Sequence, residues 1–243
     1  MIEKGYKLSV YNRTKSKADS LIKLGAAFKS PEEIAKSCDL VFLMLGYPHD
    51  VEEVLLGSEN GILKQMQKGA YLVDHTTSKP GLAVKIAEEA SKLGVCVIDA
   101  PVSGGDIGAK NGTLVAMCGG KEAEFEKVKP IMSVYCKAVK LHGEAGAGQH
   151  TKCINQISIA GAMIGVCEGL IYGKKAGLDL EKVIETIGGG AAGSFSLTYY
   201  APKILAKDMK PGFYVEHFVK DMEIALDECR RMGIALPGLA LVH

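Results

Sequence analysis

The stretch Ala70–Gly105, AYLVDHTTSKPGLAVKIAEEASKLGVCVIDAPVSGG, carries the pattern that decides the fold. Two short apolar runs, YLVD and VCVID, flank a segment whose apolar residues recur at helical spacing. Pro80 stands where a helix can begin and Gly94 where it can end, because proline suits the first helical turn and glycine suits the left-handed residue after the last. The stretch is therefore predicted to form a strand, a helix and a second strand, which is the repeating unit of a parallel sheet.

The same alternation continues on both sides of this unit. KLSVY and DLVFLML precede it, and TLVAMCGG and AVKLHG follow it as further predicted strands. From about Gly146 the strand signal stops, and apolar or small residues occupy most positions, as is typical of a helix buried inside a helical domain. We predict an α/β fold with a Rossmann-type doubly wound, mainly parallel sheet in residues 1–142, followed by an all-α domain in residues 143–243.

The start of the sheet departs from the usual order of a dinucleotide-binding fold. KLSVY matches the second strand of that fold, and only MIEKG precedes it. No glycine fingerprint for a pyrophosphate follows an early strand, and the glycine-rich run Gly188–Gly193 lies in the helical part. We expect the first strand, its glycine loop and the last helices to be missing, so that the sequence is a truncated segment of a longer protein with a partial nucleotide-binding domain.

Composition argues against several classes of partner. Lysine plus arginine number 29 and aspartate plus glutamate 28, so no net field attracts the chain to nucleic acid or to an acidic membrane. The seven cysteines form no CxxC pair and no metal-ligand spacing, which is typical of a reducing compartment. Without a signal peptide or an uninterrupted apolar run of membrane length, we predict a cytoplasmic protein with no metal, nucleic-acid or membrane partner. Import into an organelle stays open because the natural N-terminus is expected to be absent.

Two stretches of the predicted sheet carry residues that suit anionic ligands. YNRT ends the predicted second strand with Asn12, Arg13 and Thr14, and an arginine at this place can pair with the 2′-phosphate of NADP. On these residues alone, a solvated turn explains the pattern equally well. Ser103 and the two glycines after it offer a hydroxyl and unobstructed backbone N–H groups to a carboxylate, although a tight turn is the ordinary reading of such a triplet.

The stretch GAGQHTKCINQ opens the predicted long helix and carries a cation in apolar surroundings. Lys152 stands beside Cys153, and burying an ammonium group costs free energy unless a site uses it. Asn155 and Gln156 lie three and four residues further on, so the three polar side chains share one face of the helix. The alternative is a surface lysine that extends its amine to water, and Lys152 without the flanking motif would favour that alternative.

Together these stretches, with FLMLGYP, DHTTSKP, DAPVSGGDIGAKNGTL and GFYVEHFVKDMEIAL, resemble the β-hydroxyacid dehydrogenase family. The family includes 3-hydroxyisobutyrate dehydrogenase, tartronate semialdehyde reductase and the glyoxylate and succinic semialdehyde reductases, with 6-phosphogluconate dehydrogenase as a more distant relative. The resemblance implies that the catalytic residue is Lys152. It implies that the substrate-binding residues are Ser103, Gly104, Gly105, Asn155, Gln156, Phe213 and Asp221. It implies that the cofactor-binding residues are Asn12, Arg13, Thr14, Met44, Leu45, Thr77 and Lys220.

The resemblance implies an oxidoreductase that transfers a hydride between NADP(H) and a short β-hydroxyacid or its semialdehyde. Arg13 favours NADP, NAD stays possible, and an NAD-dependent 3-hydroxyisobutyrate dehydrogenase is the enzymatic alternative. A homodimer or homotetramer that binds a small carboxylic acid or aldehyde is also implied. A catalytically silent module for oligomerisation or protein binding is an alternative of another class. The missing glycine loop favours that alternative and an inactive truncated chain, whereas the retained Lys152, Ser103 and Lys220 oppose it.

Overall fold

The computed structural model describes residues 1–57 and 61–243 and divides the chain into two compact units, Met1–Lys152 and Cys153–His243. The described part of the first unit contains strands connected by helices, and that of the second contains helices and turns. The predicted fold class, a Rossmann-type α/β domain followed by an all-α domain, is confirmed. The division between the units lies inside one long helix, and the predicted domain boundary after residue 142 stays a prediction.

The described part of the first unit contains eight strands. Their bounds are β1 Ser9–Val10, β2 Ala27–Phe28, β3 Leu40–Leu43, β4 Tyr71–Asp74, β5 Cys96–Asp99, β6 Val102–Ser103, β7 Leu114–Cys118 and β8 Cys136–Leu141. Strands β1 and β2 form a parallel pair, and β3, β4 and β5 form a parallel sheet in that order. Strand β7 pairs antiparallel with β6 and parallel with β8. One antiparallel bridge from Asp99 to Gly119 links β5 to the segment after β7.

Six α-helices alternate with these strands in the described part of the first unit. Their bounds are α1 Asp19–Lys23, α2 Pro31–Ser37, α3 Pro48–Leu56, α4 Pro80–Leu93, α5 Gly105–Asn111 and α6 Glu122–Met132. The predicted start of α4 at Pro80 and its end before Gly94 are both confirmed, and Gly94 adopts the left-handed conformation with φ of 70°. The predicted strand KLSVY is shorter than expected, because its paired part is Ser9–Val10 alone.

The central sheet buries both of its faces. Leu72 in β4 packs into one cluster with Leu55 of α3, whereas the next residue, Val73, packs into a second cluster with Phe125 of α6. Successive side chains of a strand point to opposite faces, so neighbouring residues enter different clusters. This packing explains why the strands have nearly continuous apolar sequences. It leaves the carboxyl ends of β3, β4 and β5 at one edge, where open α/β sheets bind their ligands.

The long helix α7, Ala147–Lys175, passes from the first unit into the second, and the second unit also contains α8 Leu180–Gly188, α9 Ala201–Leu205, α10 Val215–Met232 and α11 Pro237–Val242. The expectation that α7 is buried on most faces is wrong for this chain, because Ile154 is 65% exposed and Tyr172 75% exposed. Although we predicted no membrane partner, α7 is long and apolar enough to cross a membrane by length and composition alone. This is weak support for a span, because core helices of soluble proteins meet the same criterion.

Candidate active site

The start of α7 is fixed by a carboxylate at the end of a strand. Asp99, the last residue of β5, accepts a hydrogen bond from the Gly146 N–H at 2.8 Å on one oxygen and from the Gln149 N–H at 2.9 Å on the other. The first N–H groups of a helix have no partners within the helix, and the positive end of its dipole attracts negative charge. Burial raises the pKa of the Asp99 carboxyl, and the backbone donors oppose that shift. Asp99 thus caps α7 from a neighbouring element of the same unit.

Two glycines make this capping contact possible. A Cβ atom on Gly119 would lie 2.6 Å from Asp99 Oδ1, and a Cβ atom on Gly148 would lie 2.5 Å from the Met117 carbonyl oxygen and 2.7 Å from Asp99 Oδ2. Real side chains do not tolerate such distances. The helix and the strand ends therefore approach this closely only because both positions lack a side chain.

Gln149 ties the same helical turn to the end of β4. Its side chain is 1% exposed; its Oε1 accepts from the Ser78 N–H at 2.9 Å, and its Nε2 donates to the Thr76 carbonyl oxygen at 2.8 Å. Thr76 also accepts a hydrogen bond on its hydroxyl oxygen from the Leu45 N–H at 2.9 Å. The segments that follow β3 and β4 are thereby connected to the first turn of α7, as β5 is through Asp99.

Lys152 lies one turn further along α7 and faces the strand that follows β5. Its residue is 7% exposed, and its ammonium nitrogen donates to the Val102 carbonyl oxygen at 2.9 Å. Ser103, Gly104 and Gly105 follow directly, and both glycines have positive φ angles, 124° and 61°. Lys152 is therefore not a surface lysine that extends its amine into water. Within the first unit, the structure thus brings Lys152 next to the segment predicted to hold a carboxylate.

Six of the seven predicted cofactor residues, all but Lys220, occupy two parts of the first unit. Met44 and Leu45 follow β3 and Thr77 follows β4, and Met44 is 65% exposed although it is apolar. Asn12, Arg13 and Thr14 are exposed after β1, and the Asn12 side chain accepts from the Thr14 N–H at 2.9 Å. These residues follow strand ends as the sequence predicted.

The remaining predicted residues lie in the second unit, and four of them form a chain of polar contacts. The Asn155 side-chain amide donates to Gln156 Oε1 at 2.7 Å, and Gln156 Nε2 donates to Asp221 Oδ2 at 2.6 Å. Lys220 Nζ lies 3.0 Å from Asp221 Oδ1. Both ends of the Gln156 amide therefore contact neighbouring side chains. Phe213 is 45% exposed and lies near the rings of His217 and Phe218.

Sequence reasoning missed the residues that support Lys152. Asp99 carried a usable signal, because an acidic residue that ends an otherwise apolar strand needs buried hydrogen-bond donors. Gln149 carried none, since a glutamine near the start of a helix is ordinary on a solvated surface. Val102 acts through its backbone carbonyl oxygen, which any residue supplies.

Comparison with known proteins identifies the class and the family of this chain. The family model of the NAD-binding domain of 6-phosphogluconate dehydrogenase matches residues 1–143, and that of the NAD-binding domain of NADP-dependent 3-hydroxyisobutyrate dehydrogenase matches residues 146–243. A probable mitochondrial 3-hydroxyisobutyrate dehydrogenase-like protein of Arabidopsis thaliana is 52% identical over 100% of this chain and 73% of its own length. The 2-hydroxy-3-oxopropionate reductase of Escherichia coli is 38% identical over 92% of this chain and 76% of its own length.

A solved structure shows the same fold. The 3-hydroxyisobutyrate dehydrogenase of Mycobacterium tuberculosis, in a structure with L-serine, has a TM-score of 0.89 at 24% identity and covers 99% of this chain and 84% of its own.

The fold, the site and the relatives define a nicotinamide-dependent oxidoreductase, as the sequence predicted. More narrowly, the chain belongs to the β-hydroxyacid dehydrogenase family. It is therefore related to enzymes that interconvert hydroxyacids and carbonyl compounds.

We predict that Gly148→Ala destabilises the protein and that Gly169→Ala, in the same helix, does not. The added methyl group at position 148 would clash with the Met117 and Asp99 oxygens, whereas a Cβ atom at Gly169 meets nothing within 4 Å. Overpacking at position 148 should lower the free energy of unfolding by about 2 kcal/mol. Alanine should add up to about 1 kcal/mol of helix stability at position 169. Urea unfolding midpoints measure both effects, and equal midpoints for the two variants would contradict this view of the capping contact.

Proposed function

We propose that the protein interconverts a short β-hydroxyacid and its semialdehyde with NADP(H), and that Lys152 is the group that moves the proton. The observation that carries this proposal is the buried ammonium group at 2.9 Å from the Val102 carbonyl oxygen, directly before Ser103. The names of the relatives support the substrate class, since one is named a probable 3-hydroxyisobutyrate dehydrogenase-like protein and another a 2-hydroxy-3-oxopropionate reductase. The hydroxyl of Ser103 and the N–H groups of Gly104 and Gly105 suit the carboxylate of such a substrate.

A bound nicotinamide cofactor supplies or accepts the hydride. In the reductive direction, Lys152 donates a proton to the carbonyl oxygen as that oxygen becomes an alkoxide. In the oxidative direction, the neutral amine accepts the proton of the hydroxyl group. The buried position of Lys152 strengthens its electrostatic interaction with developing negative charge, because water screens it less than at the surface.

The residues at the sheet edge fit a nicotinamide cofactor. Met44 presents an exposed apolar side chain directly after β3, which suits contact with a flat ring. The Ser78 hydroxyl oxygen is buried and has no hydrogen-bond partner within the part of the chain that the structure describes. A bound polar group would satisfy it. We assign the cofactor to Asn12, Arg13, Thr14, Met44, Leu45, Thr77 and Lys220.

In the second unit, we assign Asn155 and Phe213 to direct contact with the substrate. Gln156 and Asp221 complete this set, and the geometry favours an orienting role for both. Gln156 fixes Asn155 through its carbonyl oxygen and Asp221 through its amide nitrogen. Asp221 in turn lies beside the Lys220 ammonium group. Loss of Gln156 should therefore disturb both neighbours.

We predict that Lys152→Ala lowers kcat for semialdehyde reduction by about 100- to 10,000-fold, the usual contribution of a positioned acid or base. The KM for NADPH should change little, because Lys152 acts on the substrate oxygen. Steady-state kinetics with tartronate, succinic and methylmalonate semialdehydes and glyoxylate measure both constants and identify the preferred substrate. Lys92→Ala, at a side chain 67% exposed on α4, is the control and should leave kcat unchanged. Undiminished turnover in Lys152→Ala would refute the proposed role.

We predict that Arg13→Glu reverses the preference for NADPH over NADH. Loss of a charge-assisted hydrogen bond to the 2′-phosphate should lower kcat/KM for NADPH by about 10- to 100-fold while NADH is affected little. Lys17→Glu makes the same charge change at another exposed residue of the segment and serves as the control. Equal or better use of NADH by the unmodified protein would instead support an NAD-dependent 3-hydroxyisobutyrate dehydrogenase.

We propose further that the protein is a homodimer in solution, paired through the exposed face of α7. Along this face, exposed positions recur at intervals of four and three residues, and the stripe consists of Ile154, Ser158, Gly161, Gly165, Glu168 and Tyr172. Such spacing places them on one side of a helix. The stripe has its large side chains at the ends and glycines in the middle, and Cβ atoms at those glycines would meet nothing within 4 Å.

The order of the stripe suits a second copy of the same helix. Its members are placed symmetrically about residue 163, so a two-fold antiparallel partner sets Ile154 opposite Tyr172, Ser158 opposite Glu168 and Gly161 opposite Gly165. The Ser158 hydroxyl donates to the Ile154 carbonyl oxygen at 3.0 Å and would have to turn from it to donate to the facing glutamate. Paired glycines permit a close crossing. Covering the stripe with protein also removes the reason for α7 to enter a membrane. The cysteine usage suits the cytoplasm.

We predict that Ile154→Arg shifts the protein from dimer to monomer, whereas Ile171→Arg does not. Both side chains are 65% exposed on α7, but only Ile154 belongs to the stripe. Light scattering coupled to size exclusion measures the mass of each variant. A monomeric unmodified protein, equal behaviour of the two variants, or sedimentation of the protein with lipid vesicles would refute pairing through this face.

A further inference from the structure

His75 is a buried imidazole outside the set of residues assigned above. It follows β4 and is 8% exposed. Its Nδ1 lies 2.7 Å from the Ala100 carbonyl oxygen and its Nε2 lies 2.8 Å from the Tyr135 hydroxyl. The ring stacks on Phe42 at a centroid distance of 5.6 Å and meets the Tyr135 ring edge-on. Both nitrogens therefore have a partner, and the ring has a fixed plane.

The partners of His75 determine which nitrogen carries the proton. A carbonyl oxygen only accepts hydrogen bonds, so Nδ1 must be protonated and must donate to Ala100. Nε2 is then bare and accepts from the Tyr135 O–H. Burial lowers the pKa of His75, which keeps the ring neutral and preserves this arrangement. The Ala100 carbonyl oxygen thereby selects the tautomer, and the Tyr135 hydroxyl, which can donate or accept, pairs with the nitrogen that is left bare.

The Ala100 carbonyl group is an important point of attachment because of the residue that follows it. Pro101 has no N–H, so the peptide unit between these residues can be held by hydrogen bonds only through the Ala100 oxygen. Next along the chain, the Pro101 carbonyl oxygen accepts from the Met117 N–H at 3.0 Å. The Val102 carbonyl oxygen then accepts from Lys152. The orientation of the Ala100–Pro101 peptide therefore helps to set where the acceptor of Lys152 lies, together with the pairing of β6 with β7.

We propose that His75 is a positioning residue for Lys152, acting through the Ala100–Val102 backbone, and that Tyr135 anchors its ring through Nε2. This inference rests on the proposed role of Lys152 as the proton donor. Neither ring needs to touch substrate or cofactor. Their effect is to keep the Val102 carbonyl oxygen, and with it the ammonium group, in the orientation needed for proton transfer.

Two substitutions at position 75 separate the two hydrogen bonds. His75→Asn places an amide N–H where Nδ1 lies and retains the bond to Ala100, whereas His75→Gln reaches towards Nε2 and retains the contact with Tyr135. Both variants lose the stacking on Phe42, so each is the other's control for general loss of packing. We expect His75→Gln to lower kcat about 10-fold, consistent with the cost of a small misplacement at a reacting group, and His75→Asn to keep most of the activity.

The KM for NADPH should stay within about 2-fold in both variants, because the cofactor residues are untouched. Tyr135→Phe provides an independent variant that keeps the ring and removes only the hydroxyl. We expect kcat to fall about 3-fold, because the ring loses the hydrogen bond that anchors Nε2 while Nδ1–H still donates to Ala100. The 15N chemical shifts of the His75 ring should show the Nδ1–H form in both proteins, with the Nε2 signal moved in the variant by the loss of its hydrogen bond.

The proposal is overturned if His75→Gln retains the kcat of the unmodified protein, or if the Asn and Gln variants lose equal activity. Where neither position 75 variant folds, a kcat unchanged by Tyr135→Phe overturns it. Failure of the proposed function is recognised separately, because it appears as undiminished turnover in Lys152→Ala. An inactive Lys152→Ala combined with equal Asn and Gln variants rejects only the role of His75.

Discussion

The first unit depends on one buried carboxylate that joins the sheet to α7. The Asp99 side chain accepts from the Gly146 and Gln149 N–H groups, and its backbone exchanges two hydrogen bonds with Gly119 at 3.1 and 2.8 Å. A carboxylate out of water is unfavourable unless donors surround it, and the open end of a helix supplies such donors together with a favourable dipole. The helix in turn needs acceptors at its first turn. Each element satisfies what the other leaves unpaired.

This contact also fixes the position of Lys152, the residue proposed to move the proton. Lys152 lies three residues after Gln149, so fixing the first turn of α7 also fixes the starting point of the lysine side chain. Gln149 adds hydrogen bonds to the Ser78 and Thr76 backbone, which prevent the turn from rotating about Asp99. Rigid elements place a reacting group more accurately than loops do. The end of β5 and the segment that follows β4 therefore both hold the first turn of α7.

The sequence was sufficient to predict the alternation of strands and helices. Burial on both faces of the sheet gives the strands nearly continuous apolar sequences, which are easily recognised. Pro80 and Gly94 bounded α4 correctly through backbone chemistry that is local to each residue. The tertiary role of Asp99 could not be predicted in the same way, since its partners lie 47 and 50 residues away. The exposure of Ile154 was misjudged because an apolar helix has the same composition whether its own chain or a second copy covers it. Lys152 was singled out through the flanking motif and the family resemblance, since the lysine by itself favours a surface position, and the Val102 carbonyl oxygen has no signature in sequence.

The hydrogen bond from Lys152 to the Val102 carbonyl oxygen suits the proposed role of Lys152 in moving a proton. An ammonium group and a neutral amine can both donate a hydrogen bond to a carbonyl oxygen, so the contact with Val102 persists before and after the proton leaves. The contact with Val102 therefore holds the side chain in place in either protonation state. The backbone is suited to this task because its position is set by the strand, by Pro101 and by the hydrogen bond from His75 to Ala100.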